Sequence, residues 1–344
     1  MKRKELNREQ VRSVIEGKCT NGQVPNVCSF WVMPDLCKDR ETEFSEWKNK
    51  RLYDIRDCFI NIPDLYTAPK DNLNYRWAYK DVDLSQKKGI DNSIIIEEWE
   101  DAEEFYENFP SPEYAGLIPA WEKDPDKYLL SGWWYCLFER HWSLRGMENA
   151  LMDFYLYPEE VHRLYRKLTD FYLRIIERIG TELHADGILV SDDLGAQAGP
   201  LISPDIFREF FKPYYKEIFD KTHEYGMHFW LHSCGNIEVF LEDFIEIGLD
   251  VIHPIQKYTM DEKHIADTYG GRICFCVGMD VQRLIPFGTP QEVREEIRQL
   301  YHTFYRKEGK FMITMGNAIT PDCRLENLDA LYDELEILEE EAND

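Results

Sequence analysis

The chain predicts a parallel α/β fold: a (β/α)8 barrel with an elaborated N-terminal region, one barrel domain over residues 1–344. Two observations carry this. From about residue 180, strand-like and helix-like segments alternate with short connections over at least five units. Polar residues also recur where strands end: Asp192, Asp193, His232, Cys234, His253, Gln256, Asp280 and Asn317. An open doubly wound sheet accommodates the alternation equally well. The polar strand ends favour the barrel, whose chemistry lies at its carboxyl-terminal face.

Residues 4–17 have helical spacing and stop at Gly17. Residues 24–33, VPNVCSFWVM, read as a strand ended by Pro34, and residues 41–60 read as helical. From Pro63 to Pro125 prolines interrupt short extended candidates such as Ser93–Glu98, so residues 1–125 hold an extension and long insertions around the first barrel units. Residues 126–180 read as mostly helical, with Pro158 in a first turn. ADGILVSDD then gives a strand, and Ser203 caps a helix that Pro213 disturbs. MHFWLHSCG, LDVIHPIQ, RICFCVGMD and FMITMGNA are the later strands, each followed by a helix.

Composition narrows the function. The 40 basic and 65 acidic side chains leave a net charge of −25. Phosphate-rich and anionic surfaces need the opposite sign, so nucleic acid and membrane are not expected partners. No apolar run reaches membrane-spanning length, and MKRKELNREQ has no apolar stretch behind its charges, so it is no secretory signal. Nine cysteines without a disulfide framework point to a reducing cytoplasm. Neither a GxGxxG turn nor a GxxxxGK[ST] loop is present.

The most informative segment is FWLHSCG, Phe229 to Gly235. Period-two alternation puts His232 and Cys234 on one side of a strand end, where imidazole and thiolate suit a soft divalent ion, most simply zinc. Asp192 and Asp193 close the preceding strand and should point opposite ways, so at most one faces the mouth. That one is a candidate proton donor, substrate-positioning group or partner to His232. His253 and Gln256 close another strand. Trp31, Tyr135 and Phe138 are candidate pocket walls, from the aromatic-rich stretches Phe30-Trp31 and Trp133–Trp142. Cys274 and Cys276 alternate with Phe275 and read as core.

GILVSDDLGAQAGPLISPDIFREFFKPYY and HFWLHSCGNIEVFLEDFIEIGLDVIHPIQ resemble the uroporphyrinogen-decarboxylase-like superfamily. VGMDVQRLIPFGTPQEVREEI, ITPDCRLEN and LFERHWSLRGMENALMDFYLYPEEV continue the resemblance, which covers roughly residues 130–340. It implies a (β/α)8 barrel and one of two chemistries: metal-free decarboxylation of a tetrapyrrole, or methyl transfer to or from a corrinoid carrier's cobalt, often with zinc. The decarboxylases carry an N-terminal arginine motif; NGQVPNVCSFWVMPD has none. The chain resembles the methyltransferase branch more closely. There His-x-Cys binds zinc, so the resemblance makes His232 and Cys234 ligands. The branch's third ligand, a cysteine after the last strand, is replaced by Asn317, a poor zinc ligand. Cys323 becomes the candidate third ligand, with Cys276, Glu139, Asp193 and His253 as alternatives.

The resemblance therefore implies a methyltransferase component acting with zinc and with cobalamin held by a separate corrinoid protein. The expected substrate is a small methylated molecule, best a methoxylated aromatic undergoing O-demethylation. Asp193, Asp192 and His253 are the catalytic candidates, and Trp31, Tyr135, Phe138, Gln256 and Asn317 the substrate-binding ones. A homodimer is compatible with the fold class. Methylation of a thiol or folate, a carboxy-lyase activity and a non-catalytic binding barrel stand as alternatives.

Overall fold

A computed structural model of the chain describes residues 4–51, 53–81 and 94–343. Seven parallel strands form one sheet in chain order: β1 (Ile55–Phe59), β2 (Tyr128–Trp133), β3 (Gly187–Ser191), β4 (His228–His232), β5 (Val251–Gln256), β6 (Cys274–Met279) and β7 (Phe311–Met315). Residues of β2, β3, β4, β6 and β7 are all buried, as expected of strands covered on both faces. The seam between β7 and β1 is filled by a single residue. Asn26 bridges Ile313 in parallel, and its carbonyl accepts from the Asp54 amide at 3.2 Å, just ahead of β1. The architecture is a β/α barrel whose first stave has shrunk to one residue.

The expected strand over 24–33 is thus corrected, for a local reason. The Asn26 amide donates to Asp54 Oδ2 at 2.6 Å rather than to a neighbouring strand. The Asn26 side chain then accepts from the Cys28 amide at 3.2 Å, and the chain turns into a 3-10 helix over Cys28–Trp31. That turn carries Trp31 into the barrel.

Before β1 lie α1 (Arg8–Glu16) and α2 (Glu41–Lys48). Asn7 and Gln10 form a capping box on α1, and Gly17 ends it at φ 70°. Arg8 and Arg12 of α1 pair with buried Asp186 at the start of β3, closing the end of the barrel where the strands begin. The helical expectation for 41–60 holds only to Lys48; Ile55–Phe59 is a strand. Its Arg56 and Asp57 look helical by composition, yet they are satisfied at the strand edge by Glu5 and Tyr53. The long excursion between β1 and β2 includes α3 (Ala102–Glu107). Ile95 and Ile96 donate to the Leu144 carbonyl instead of forming a strand, and Ser93 lies outside the described residues.

Tyr128–Trp133 is likewise a strand, not part of a helical region. A short continuous apolar run does not distinguish the two. After β2 come α4 (Phe138–Arg145), α5 (Met147–Leu156) and α6 (Pro158–Arg178). After β3 come α7 (Pro204–Ile206), a π turn over Phe207–Phe211 and α8 (Lys212–Glu224). Ser203 caps α7 through the Ile206 amide, and the widened turn precedes Pro213, which has no N–H for a regular helix. The remaining connections hold α9 (Glu238–Glu246), α10 (Glu262–Tyr269), α11 (Leu284–Phe287) and α12 (Pro290–Phe304); α13 (Leu325–Asn343) ends the chain. No helix among the described residues is long and apolar enough to cross a membrane.

The barrel interior is packed. Val27, Phe30, Leu130, Leu189, Trp230 and Cys276 leave only about 10 Å³ among them, below Trp31 and His253. A buried polar network braces α4 against α5. Arg145 makes a two-pronged contact to Asp153 at 2.9 and 3.0 Å, while His141 and Trp99 reach the same carboxylate at 3.1 and 3.0 Å. Burial alone would raise the Asp153 pKa, but the His141 and Arg145 contacts hold it down at about 2. The folded value lies below the unfolded one, so its stabilisation is present above about pH 4 and is lost as pH falls towards 2. Asp153→Asn is expected to remove roughly 2 kcal/mol at neutral pH and to flatten stability between pH 4 and 2, measured by urea unfolding at each pH.

Candidate metal centre

The site is built where β3, β4 and β5 end. Register pairs Ser191 with His232, and His232 with His253. The Asp192 amide donates to the His232 carbonyl and the Ser233 amide to that of His253, both at 2.8 Å, so the ladder continues one residue past the strands. Beyond it, Asp193 Oδ1, His232 Nε2 and Cys234 Sγ lie within 4.8 Å of one another. Sulfur and imidazole are 3.4 Å apart, and the carboxylate is 3.8 Å from the same nitrogen.

The hydrogen-bond pattern assigns the imidazole tautomers. His253 Nε2 lies 2.9 Å from the Met315 carbonyl, which only accepts, so Nε2 carries the proton. Burial, then the neighbouring His232 ring, pushes the His253 pKa well down, so the ring is neutral and Nδ1 is bare. His232 Nδ1, 2.7 Å away, must therefore donate to it. Burial lowers the His232 pKa too, which leaves Nε2 unprotonated with its lone pair facing Asp193 and the Cys234 sulfur. Trp31 stacks on His253 at 4.4 Å and 13° and fixes the ring plane.

The Cys234 loop is pinned on both sides. The Cys234 amide donates to Asp193 Oδ1 at 2.7 Å, and the Gly235 amide to Gln256 Oε1 at 2.6 Å. Gly235 sits at φ 85°, where an added Cβ would stand 2.3 Å from the Gly195 backbone. Asn317 Nδ2 donates to Cys234 Sγ at 3.4 Å.

These residues fit a zinc-like ion. Tetrahedral coordination with the usual bond lengths spaces nitrogen, oxygen and sulfur ligands roughly 3.4–3.6 Å apart. Burial and the adjacent Asp193 charge push the Cys234 thiol up, a conflict that a bound cation would relieve. His232, Cys234 and Asp193 would hold the ion. Cys323 is not among them. It is buried near Thr320, whose hydroxyl is 3.8 Å from its sulfur, and its carbonyl accepts from Arg40. The loop after β7 does not fold it back to the mouth.

The other expected site residues divide. Asp192 and Asp193 do point opposite ways. Asp192 is fully buried and accepts from the Leu137, Phe138 and Glu139 amides at 2.7–3.1 Å and from the Tyr215 hydroxyl. It anchors the positive end of α4 and is not at the mouth, although burial raises its pKa to about 6. Phe138 is also drawn inward by this anchor and packs on Phe154 and Phe211, away from any pocket. Tyr135 is half-buried, 5.4 Å from the Trp142 ring. Asp280 accepts from the Gln282, Arg283 and Leu284 amides and caps the start of α11.

Trp134, Phe59 and Ser191 enter without having been singled out as site residues in the sequence, and Glu139 enters in a role other than ligand. Trp134 lies edge-on to His232 at 6.3 Å and stacks on Phe59 at 5.3 Å, so with Trp31 they form an apolar wall. Both Trp134 and Phe59 sit at the ends of strands missed in the sequence, which is why their place at the mouth was hidden. Ser191 donates to Glu139 Oε2 at 2.5 Å and accepts from the Tyr135 amide at 2.9 Å. Burial, then the charges of Asp193 and Asp192, pushes the Glu139 carboxyl well above the usual carboxylate range. Beside Asn317 and Gln256 a cleft of about 470 Å³ opens, lined also by Asp280, Gln282 and Thr320. His253→Ala is expected to weaken zinc affinity about 10- to 100-fold without removing a ligand, measured by competition with a chromophoric chelator.

The uroporphyrinogen decarboxylase (URO-D) family model matches residues 141–336, more than half of the chain. Among solved structures, a methyltransferase from Methanosarcina mazei superposes with a TM-score of 0.58 at 15% identity, covering 97% of this chain and 99% of that one. A D-psicose 3-epimerase gives a TM-score of 0.36 at 11% identity, over 64% of this chain and 81% of its own. An intracellular xylanase from Thermoanaerobacterium saccharolyticum gives 0.40 at 11% identity, over 86% and 90%. The latter two are too distant to bear on the site. No curated protein matches the chain. The family match covers β3 to β7 and the Asp193, His232 and Cys234 cluster: this chain belongs to the uroporphyrinogen decarboxylase family.

Proposed function

We propose that the protein is a methyltransferase component. It takes a methyl group from a small O-methylated substrate, best a methoxylated aromatic, and passes it to the cobalt of a separate corrinoid protein. The observation that carries this reading is the gathering of Asp193, His232 and Cys234 around one point, with the His232 lone pair already aimed at it. The full-length likeness to the Methanosarcina mazei methyltransferase supports it.

Bound there, zinc would supply Lewis acidity to the substrate oxygen that loses the methyl group. The protein supplies the rest. Trp134 and Phe59, half-buried and backed by the buried Trp31, offer flat apolar surface beside His232, suited to an aromatic ring. Glu139, buried beside Asp193 with its carboxyl pushed well above the usual range, is the proton donor we assign to the departing oxygen. Asp193 is 39% exposed at the side chain, so the mouth is open, which disfavours a plugged, non-catalytic barrel. The carboxy-lyase alternative needs convergent cations. Among the described residues lining the cleft the cation is Lys257, already paired with Glu262 and Glu296 at 3.2 and 2.6 Å.

Purified protein should hold about one zinc per chain. His232→Ala and Cys234→Ala should lose it, and Cys323→Ala should keep it. Full retention in the first two variants would overturn the site. Mixed with a reduced corrinoid protein and a methoxyarene, the enzyme should form methylcobamide, read by its visible spectrum. Glu139→Gln should slow that step about 10²- to 10⁴-fold while zinc remains bound.

A further inference from the structure

We propose that Asn317 caps the Cys234 sulfur and reads an oxygen, not a sulfur, on the methyl donor. This rests on the methyl-transfer reading above and names the substrate class it implies: aryl ethers and their phenol products rather than thioethers and thiols.

The geometry fixes the amide. Asn317 Oδ1 accepts from the Ala318 amide at 2.7 Å, which turns Nδ2 toward Cys234 Sγ, 3.4 Å away. An amide nitrogen has two hydrogens. One lies on the sulfur; the other has no partner among the described residues, and Asn317 lines the 470 Å³ cleft. Asn317 is exposed, so the amide is held by these bonds and not by burial.

Two chemical consequences favour oxygen. The ligand set is one imidazole, one thiolate and one carboxylate, whose two negative charges balance a divalent cation. An N–H on the thiolate draws electron density from the sulfur and keeps the ion hard enough to bind oxygen. A second thiolate in place of Asn317 would make the site anionic and softer. Asn317 lines the cleft, so its free N–H is a preplaced donor for the negative charge that an oxygen gathers as it loses its methyl group there. A sulfur leaving group is larger and a weaker acceptor, so it gains less from the same N–H.

The test uses the full chain loaded with cobalt(II), with phenol and thiophenol as probes. The unsubstituted protein should show a sulfur-to-cobalt charge-transfer band. Asn317→Ala should move that band to lower energy and weaken cobalt affinity about 10-fold. It should weaken phenol binding about 10-fold more than thiophenol binding. Asn317→Asp keeps the shape but replaces the donor with a charge, and should abolish the phenol response. An unmoved band with equal losses for both probes would overturn the role of Asn317 and leave the metal site standing. No sulfur band in the unsubstituted protein would remove the metal site, and this inference with it.

Discussion

Two neutral imidazoles in series are the constraint on which the rest of this site depends. The Met315 carbonyl, at the end of β7, can only accept a hydrogen bond. It fixes His253, which fixes His232, which leaves one lone pair facing Asp193 and Cys234. Information about which nitrogen is bare thus passes from β7 through β5 to β4. A charged imidazole in either place would break the sequence, and burial keeps both from charging. The packed interior below Trp31 matters for the same reason, because a dry floor gives the rings no water to bond instead.

The adjacent carboxylates show how one residue of register separates two roles. Asp192 turns inward, takes three amides of the first turn of α4, and becomes part of the scaffold. Asp193 turns outward and meets the His232 and Cys234 donors. The link between them is α4 itself. By anchoring that helix, Asp192 sets where Glu139 stands, and Glu139 in turn feels both charges. Burial first, then the site carboxylate and the scaffold carboxylate, push this third carboxyl well above the usual range.

The later part of the fold was legible in the sequence because each strand from β3 onward ends in polar residues and is followed by a capped or amphipathic helix. The early part was not. Asn26 spends its amide and side chain on Asp54 and Cys28, so an apparent ten-residue strand forms one bridge. β1 carries Arg56 and Asp57, which resemble a solvated helix until Glu5 and Tyr53 are seen beside them. At the site, the His-x-Cys spacing pointed to a shared strand-end position. Alternation predicted that only one of the two aspartates would face it. No pattern in the chain could show that the loop holding Cys323 stays away, or that a carbonyl on β7 decides the tautomer of a histidine on β4. Those are long-range contacts, and single-sequence periodicity records only local ones.

The tautomers of His232 and His253 can be read directly by ¹⁵N-detected long-range proton correlation on protein labelled at histidine. His232 should be protonated at Nδ1 and His253 at Nε2 at neutral pH before metal is added, with zinc shifting the His232 Nε2 resonance and leaving both proton positions unchanged. A His232 ring protonated at Nε2, or a charged His253, would contradict this assignment.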